Sequence, residues 1–326
     1  MTSREEKKLL VKIAQMYYEE DMTQSAISKE LGIYRTSISR WLKKAREEGI
    51  VKITINTDID ETFDLEQRLT KLFNLREVII VPDKKDQTQV EKKKAVAIAG
   101  AELLKKIIQD DDVIGFAWGS TMASMIGEFP GVSKKDAHFV PLVGGPGPMD
   151  TKHHVNTIVY NIAEDFNGTA YFIDAAAVVE KKETKDDIIH SHYFKKITEL
   201  WDSLTVAVVG IGNPGQSSNL VWAGFCGDEE IEALNEQGAI GDICSRFYDI
   251  NGRLIHSDLS DRTIAVELEK LKHISYSIGI AESVEKAPSI IGGLRGRYIN
   301  TLITTEETAN EMLKILEQQE KVLSDN

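Results

Sequence analysis

Cysteine is almost missing from this chain: Cys226 and Cys244 are the only two. Two thiols without ligand-like spacing exclude a disulfide framework and a cysteine metal knot, and fit a reducing compartment. Long apolar runs are also missing. No stretch reaches the roughly 18 consecutive apolar residues that a membrane-spanning helix needs. The first residues are charged and lack a signal-peptide core, so a cytoplasmic location is expected. Asn167-Gly168-Thr169 matches a glycosylation acceptor, which carries no weight without a secretion signal. Internal repeats and low-complexity tracts are absent, and nothing calls for a cofactor or a metal.

Net positive charge is missing too. The formal charge of −13 argues at first against a polyanionic partner. The charge is unevenly placed, however. Residues 1–55 hold 11 Lys/Arg and 8 Asp/Glu, against 28 and 44 in the rest. An acidic body repels DNA and leaves a basic head as the contact surface. Such a head makes few phosphate contacts, so tight binding calls for several heads per complex.

That head is the most informative stretch. In residues 22–48, Thr23 is a good N-cap for a short helix, and Gly32 can take the positive φ that ends it. A second amphipathic run follows with Ile38, Trp41, Leu42 and Ala45 on one face. Ser28 is small where the two helices cross. This is the spacing of a DNA-binding helix-turn-helix. Gln24, Arg35, Thr36, Ser39, Arg40, Lys43 and Lys44 are the expected DNA-contacting residues. A preceding helix over 4–20 and a strand over 50–55, suited to a wing, complete the head. The alternative for the pair alone is an ordinary helical hairpin with a solvated charged face.

With 42% apolar residues in 326, the chain has enough for one large core beyond the head. The expected division is 1–56 for DNA binding and 57–326 for ligand binding and oligomerisation, with 57–64 as linker. Helices are expected at 65–73, 90–109 and 153–166, and 195–203 is expected to end another. Strands are expected at 77–82, 113–118, 138–145, 170–173, 205–212, 275–281 and 300–304. Thr304 to Glu307 reads as a capping box for a last helix. Short apolar strands joined by helices imply a mainly parallel α/β sheet covered on both faces.

Ligands of such sheets bind at the carboxyl ends of strands. Gly119, Ser120 and Thr121 follow one strand and open a helix, a good phosphate seat; a plain Ser/Thr cap is the alternative. Gly144 and Gly145 follow another, where backbone could approach a ligand or simply turn. Gly210-Ile211-Gly212-Asn213-Pro214-Gly215 spells a dinucleotide fingerprint, but Pro214 is a poor helix start and no acidic strand end follows. Gly212 and Asn213 remain candidates to line a ligand of another kind. Asp242 could read sugar hydroxyls, and Lys286, Arg295 and Arg297 could neutralise a phosphate.

The order TQSAISKELGIYRTSISRWLKKAREEGIV, WGST, PLVGG, VGIGNPG, GAIGD and GGLRGRYINTLITTEETA, the last with a lysine ahead of it, resembles the SorC family of bacterial sugar-responsive transcription regulators, sometimes grouped as SorC/DeoR. The resemblance runs from about residue 8 to 316. It implies a winged head and a larger Rossmann-like α/β body similar to sugar-phosphate isomerase, deaminase and CoA-transferase folds. It also implies operator DNA and a phosphorylated sugar or sugar alcohol as partners, and a tetramer. It carries ligand contacts to Gly119, Ser120, Thr121, Gly144, Gly145, Gly210, Gly212, Gly241, Asp242 and Lys286. Two places depart from the family pattern: Thr305 stands for an acidic residue, and Ala175-Ala176-Ala177 replaces a proline-containing turn.

Two rival functions compete with this reading. One is a sugar-phosphate isomerase or deaminase with an accessory head, which needs a positioned acid or base. Related deaminases place Asp and His after the glycine loop; here it reads NPGQSSNL. All seven histidines lie outside the glycine-rich loops. The other is a DNA-organising oligomer without an effector.

Overall fold

The computed structural model describes residues 3–52, 62–133, 135–147, 151–214, 223–225 and 227–324. The chain divides into two compact units, 1–59 and 60–326.

Among its described residues, the first unit is three helices: α1 Ser3–Tyr18, α2 Gln24–Leu31 and α3 Arg35–Glu47. Ile13, Met16, Ile27, Ile38 and Leu42 form one buried cluster, and Leu10, Ala14 and Ala45 another. The expected wing strand runs into residues outside the described set, as do the 56/57 junction and most of the linker. Its described part, Ile50 to Lys52, is not strand.

The second unit is built on seven strands: β1 Glu77–Val81, β2 Val113–Phe116, β3 His138–Pro141, β4 Thr169–Ala170, β5 Val206–Gly210, β8 Tyr276–Ile280 and β9 Thr301–Thr305. Their order is β1-β9-β8-β5-β2-β3-β4, and every pairing is parallel. β6 Gly241–Ile243 and β7 Arg246–Tyr248 make a separate antiparallel hairpin. The central strands are buried along their length, as a sheet covered on both faces requires. α4 Phe63–Phe73 starts two residues earlier than expected, inside the presumed linker. α5 Gln89–Ile107 opens on a capping box between Thr88 and Glu91.

The topology places the ligand site. From β2 the chain moves outward through β3 to β4, then returns to the other side of β2 with β5 and moves outward through β8 and β9. The order therefore reverses between β2 and β5. A crevice opens at the carboxyl ends of two such strands, because their following loops diverge.

One expected cap is overturned. The terminal helix runs Glu306–Ser324, so Thr304 lies inside β9 and not at the helix boundary. The amide of Glu307 donates instead to Asp83 Oδ2 at 2.6 Å, from the loop after β1. Thr305, the departure from the family pattern, bonds Thr308 Oγ1 at 2.8 Å.

Candidate functional site

Two places carry the expected chemistry, one in each unit. In the head, Thr23 Oγ1 accepts from the amide of Ala26 at 3.2 Å, and Gly32 takes φ +67°. Ser28 also donates its hydroxyl to the carbonyl of Ile33 at 2.6 Å. The turn is thus locked by a hydrogen bond as well as by small size. Arg35, Thr36, Ser39, Arg40 and Lys43 all lie exposed on α3, opposite Ile38, Leu42 and Ala45, and Gln24 is half-buried at the start of α2. Lys43 lies 3.7 Å from Glu47.

Lys44 departs from this face. It is half-buried and forms ion pairs with Glu6 of α1 and, at 3.6 Å, with Glu48. Its hydrogen bond to Glu6 raises the lysine pKa and lowers that of the carboxyl. The helical rotation of one residue past Lys43 turns this side chain towards α1. Lys44 therefore fastens α1 to α3, where the sequence sets it among the cations reaching towards the DNA backbone.

In the body, a narrow cleft, with a cavity volume of only about 10 Å³, lies at the reversal point between β2 and β5. It is lined by Ala117 and Trp118 after β2, Val143 after β3, Gly210 at the end of β5 and Gly212 after it, and Asp242, Cys244 and Ser245 of the hairpin. Asp242 is 5% exposed. Its backbone exchanges hydrogen bonds with Gly212, at 3.0 and 3.2 Å, which holds the hairpin against the β5 loop. Cys244 and Ser245 sit at φ +50° and +64°, the two positive angles of a tight hairpin turn. Non-glycine residues there store strain, a feature that clusters at binding sites. Burial pushes the Cys244 thiol well above its ordinary range, so it remains a neutral wall of the cleft.

Directly after Trp118, Gly119 takes φ +124° and Ser120 opens the short helix α6 Ser120–Ala123. With only four residues, α6 has almost no macrodipole. The expected helix-dipole contribution to a phosphate seat is therefore small, and side chains must supply the charge. Thr121 is buried, and Ser120 is half-buried. Lys286 follows β8 in a one-turn 3₁₀ helix, half-buried and without a carboxylate within ion-pair reach among the described residues. The side-chain amide of Asn213 donates to the carbonyl of Glu285 at 3.3 Å, drawing the β5 and β8 loops together.

The glycine pair of the β3 loop is closely packed. A Cβ on Gly144 would meet the carbonyl oxygen of Ala176 at 2.5 Å, and one on Gly145 would meet His154 Nε2 at 2.6 Å. Gly145 exchanges backbone hydrogen bonds with Ala175 and Ala177, both at 2.7 Å. Backbone does approach closely there, but it is the chain's own backbone, the 175–177 segment that replaces the proline turn. Arg295 is also spent elsewhere, on the carbonyl of Ile250 and on Gln319. Arg297 is exposed.

Sequence reasoning missed Lys93 and Glu282, which flank Ser120 and Thr121, and the Cys244-Ser245 turn. Glu282 was within reach of the strand-end rule, since it lies two residues past β8. Lys93 carries no local signal inside the run Lys92-Lys93-Lys94. No histidine lines the cleft. Among the described residues, no group of His, Cys, Asp and Glu is placed to hold a metal ion.

The family described as "Putative sugar-binding domain" matches residues 57–314, and a homeodomain-like domain matches residues 2–52. The sorbitol operon regulator of Klebsiella pneumoniae is 43% identical over 96% of this chain and 100% of its own. The chain belongs to the SorC/DeoR family of transcription regulators. The deoxyribonucleoside regulator of Bacillus subtilis is 29% identical over 96% of this chain and 99% of its own. The crystal structure of the full-length Klebsiella regulator matches with a TM-score of 0.74 over 94% of this chain and 98% of that one. Like those relatives, this SorC/DeoR protein couples a helix-turn-helix head to a parallel-sheet sugar-binding body. The enzyme reading has no support among them. No described helix is long and apolar enough to cross a membrane.

Proposed function

We propose that this protein is a cytoplasmic regulator of a carbohydrate catabolic operon, switched by a phosphorylated sugar or sugar alcohol. The cleft at the reversal point between β2 and β5 carries the reading. Asp242, suited to accept from hydroxyls, lines it together with Trp118, the residue before the turn Gly119-Ser120-Thr121, whose hydroxyls and amides suit a phosphate. Gly212 and Asn213 shape the wall, and Lys286 adds a point charge. The printed name of the Klebsiella relative points to a hexitol, so D-sorbitol 6-phosphate is a rational probe.

Arg35, Thr36, Ser39 and Arg40 read the operator through the major groove, with Gln24 and Lys43 on the DNA backbone. The body assembles as a homotetramer, which multiplies the few phosphate contacts each head makes. The effector acts by favouring one arrangement of heads over another, which requires unequal affinity for the two.

Calorimetry on the full chain tests the effector class. D-sorbitol 6-phosphate should bind at least tenfold more tightly than D-sorbitol. Equal affinity for the two removes the phosphate seat and leaves residues 119–121 as a helix cap. Sedimentation of the full chain, and of a chain starting at residue 60, tests assembly. A monomeric body beside a tetrameric full chain moves oligomerisation to the head.

A further inference from the structure

Two charged side chains from distant parts of the chain meet at the Gly119–Thr121 turn. Lys93 of α5 donates to Ser120 Oγ at 2.9 Å. Glu282 accepts from Thr121 Oγ1 at 3.5 Å, and its other oxygen lies 4.0 Å from Lys93 Nζ. Glu282 is 4% exposed. A carboxylate so deeply buried persists only where a cation and a donor offset its lost hydration, and Lys93 and Thr121 are those groups. They are also the groups that an arriving phosphate would use, since charge-assisted bonds to an anion are the strong ones.

We infer that Glu282 is an internal anion that holds the phosphate place in the free protein, and that Lys93 is the cation for which Glu282 and the effector compete. The inference rests on the phosphosugar reading of the cleft and adds to it the means by which phosphate is selected. Carboxylate and phosphate cannot share the turn, because like charges at contact distance repel strongly in a poorly solvated site. The backbone of Glu282 is fixed on both sides. The amide of Ala281 donates to Ile303 O at 3.1 Å, and that of Ser283 to Thr308 Oγ1 at 3.0 Å. Exchange therefore proceeds by rotation of the Glu282 side chain, with the strand end in place.

Selectivity follows from charge. A phosphate that evicts Glu282 replaces one anion beside Lys93 with another. A hydroxyl in the same place would leave Lys93 beside a neutral group and Glu282 without its cation, so the unphosphorylated sugar is rejected at this end.

Glu282→Gln keeps the size and an acceptor for Thr121 but removes the charge. Calorimetry on the full chain, with inorganic phosphate, D-sorbitol 6-phosphate and D-sorbitol as probes, reads the effect. Glu282→Gln should bind both phosphate compounds at least fivefold more tightly than wild type. Lys93→Met should bind them at least tenfold more weakly, without an equal loss of D-sorbitol affinity. Unchanged or weaker phosphate binding by a folded Glu282→Gln overturns the inference, while a wild type that still prefers the phosphorylated sugar keeps the effector reading intact. Wild type that binds the phosphate compounds no better than D-sorbitol overturns both. If Glu282→Gln does not fold, Lys93→Met decides: an equal loss for phosphorylated and unphosphorylated probes, or no loss at all, contradicts the assignment.

Discussion

Asp83 caps the terminal helix, accepting at 2.6 Å from the amide of Glu307, 224 residues further along the chain. Lys92 braces the contact with ion pairs to Glu307 at 2.6 Å and to Asp83 at 3.6 Å. These bonds tie the β1 edge strand and α5 to the terminal helix. Asp83→Ala removes the acceptor for an orphan helix amide, a loss worth about 1 kcal/mol. Urea unfolding of the full chain should show a lower midpoint in the body transition. Thr304→Ala, at the position where the sequence alone sets the cap, should not reproduce it through loss of a cap. Equal loss of helix-end protection from hydrogen exchange in both variants would contradict this assignment.

Gly144 separates the packing role from the binding role. Alanine there drives Cβ into the Ala176 carbonyl at 2.5 Å, and backbone cannot rotate away as a side chain can. Gly144→Ala should destabilise the body by about 1–3 kcal/mol, the usual range for overpacking. Its effector affinity, measured on the folded fraction, should stay within twofold of wild type. A stable variant with lost effector binding would return Gly144 to the ligand site.

The strands and most helices were legible because apolar runs of sheet length alternate with helical periods, and burial on both faces needs no other signal. β2, β5 and β9 are examples, apolar or small throughout. The hairpin of β6 and β7 was not legible. Its strands have three residues each, and its turn is Cys244-Ser245 where Asn-Gly would announce it. The strand-end rule found Asp242 and the 119–121 turn but could not rank the glycines, since Gly144 and Gly212 look alike in sequence and differ only in what faces them. The tie of Lys44 to α1 was not legible for a similar reason: its partner Glu6 is 38 residues away.

His154 gives the body a pH response. Its Nδ1 accepts from the amide of Asn156 at 3.2 Å at the start of helix Val155–Phe166. Burial lowers its pKa from 6.5, with Asp174 opposing by a smaller amount. The unfolded chain then binds the extra proton more readily than the folded one. The stability that neutral His154 contributes is present above the ordinary value of 6.5 and is lost as pH falls below it. The urea midpoint of wild type should fall between about pH 7.5 and 5.5. His154→Asn keeps a capping side chain and should flatten that fall. An identical pH slope in the variant places the titration elsewhere.

In the head, Arg40 and Lys43 should separate recognition from attraction. An arginine in the major groove can contact guanine through two bonds, worth about 1–3 kcal/mol of discrimination. Arg40→Ala should lose sequence preference, scored by binding-site selection from a random duplex library. Lys43→Ala should weaken all duplexes alike and reduce the salt slope by about one. Lys44→Ala should act on α1–α3 packing, lowering the melting of the head without relaxing the selected sequence. Unchanged selectivity in Arg40→Ala would remove it from the base-reading set.

The central claim is that the cleft at the β2–β5 reversal governs the head. It is tested most directly by the affinity of the full chain for its selected duplex, with and without saturating D-sorbitol 6-phosphate, in wild type and in Thr121→Asp. Thr121→Asp puts a like charge where the phosphate would sit. In wild type the effector should change the DNA affinity by at least about fivefold, the lower end of ordinary allosteric coupling. Thr121→Asp should bind the duplex as wild type does without effector and show no change on adding it. A wild type indifferent to the effector, or a Thr121→Asp that still responds, would contradict the account.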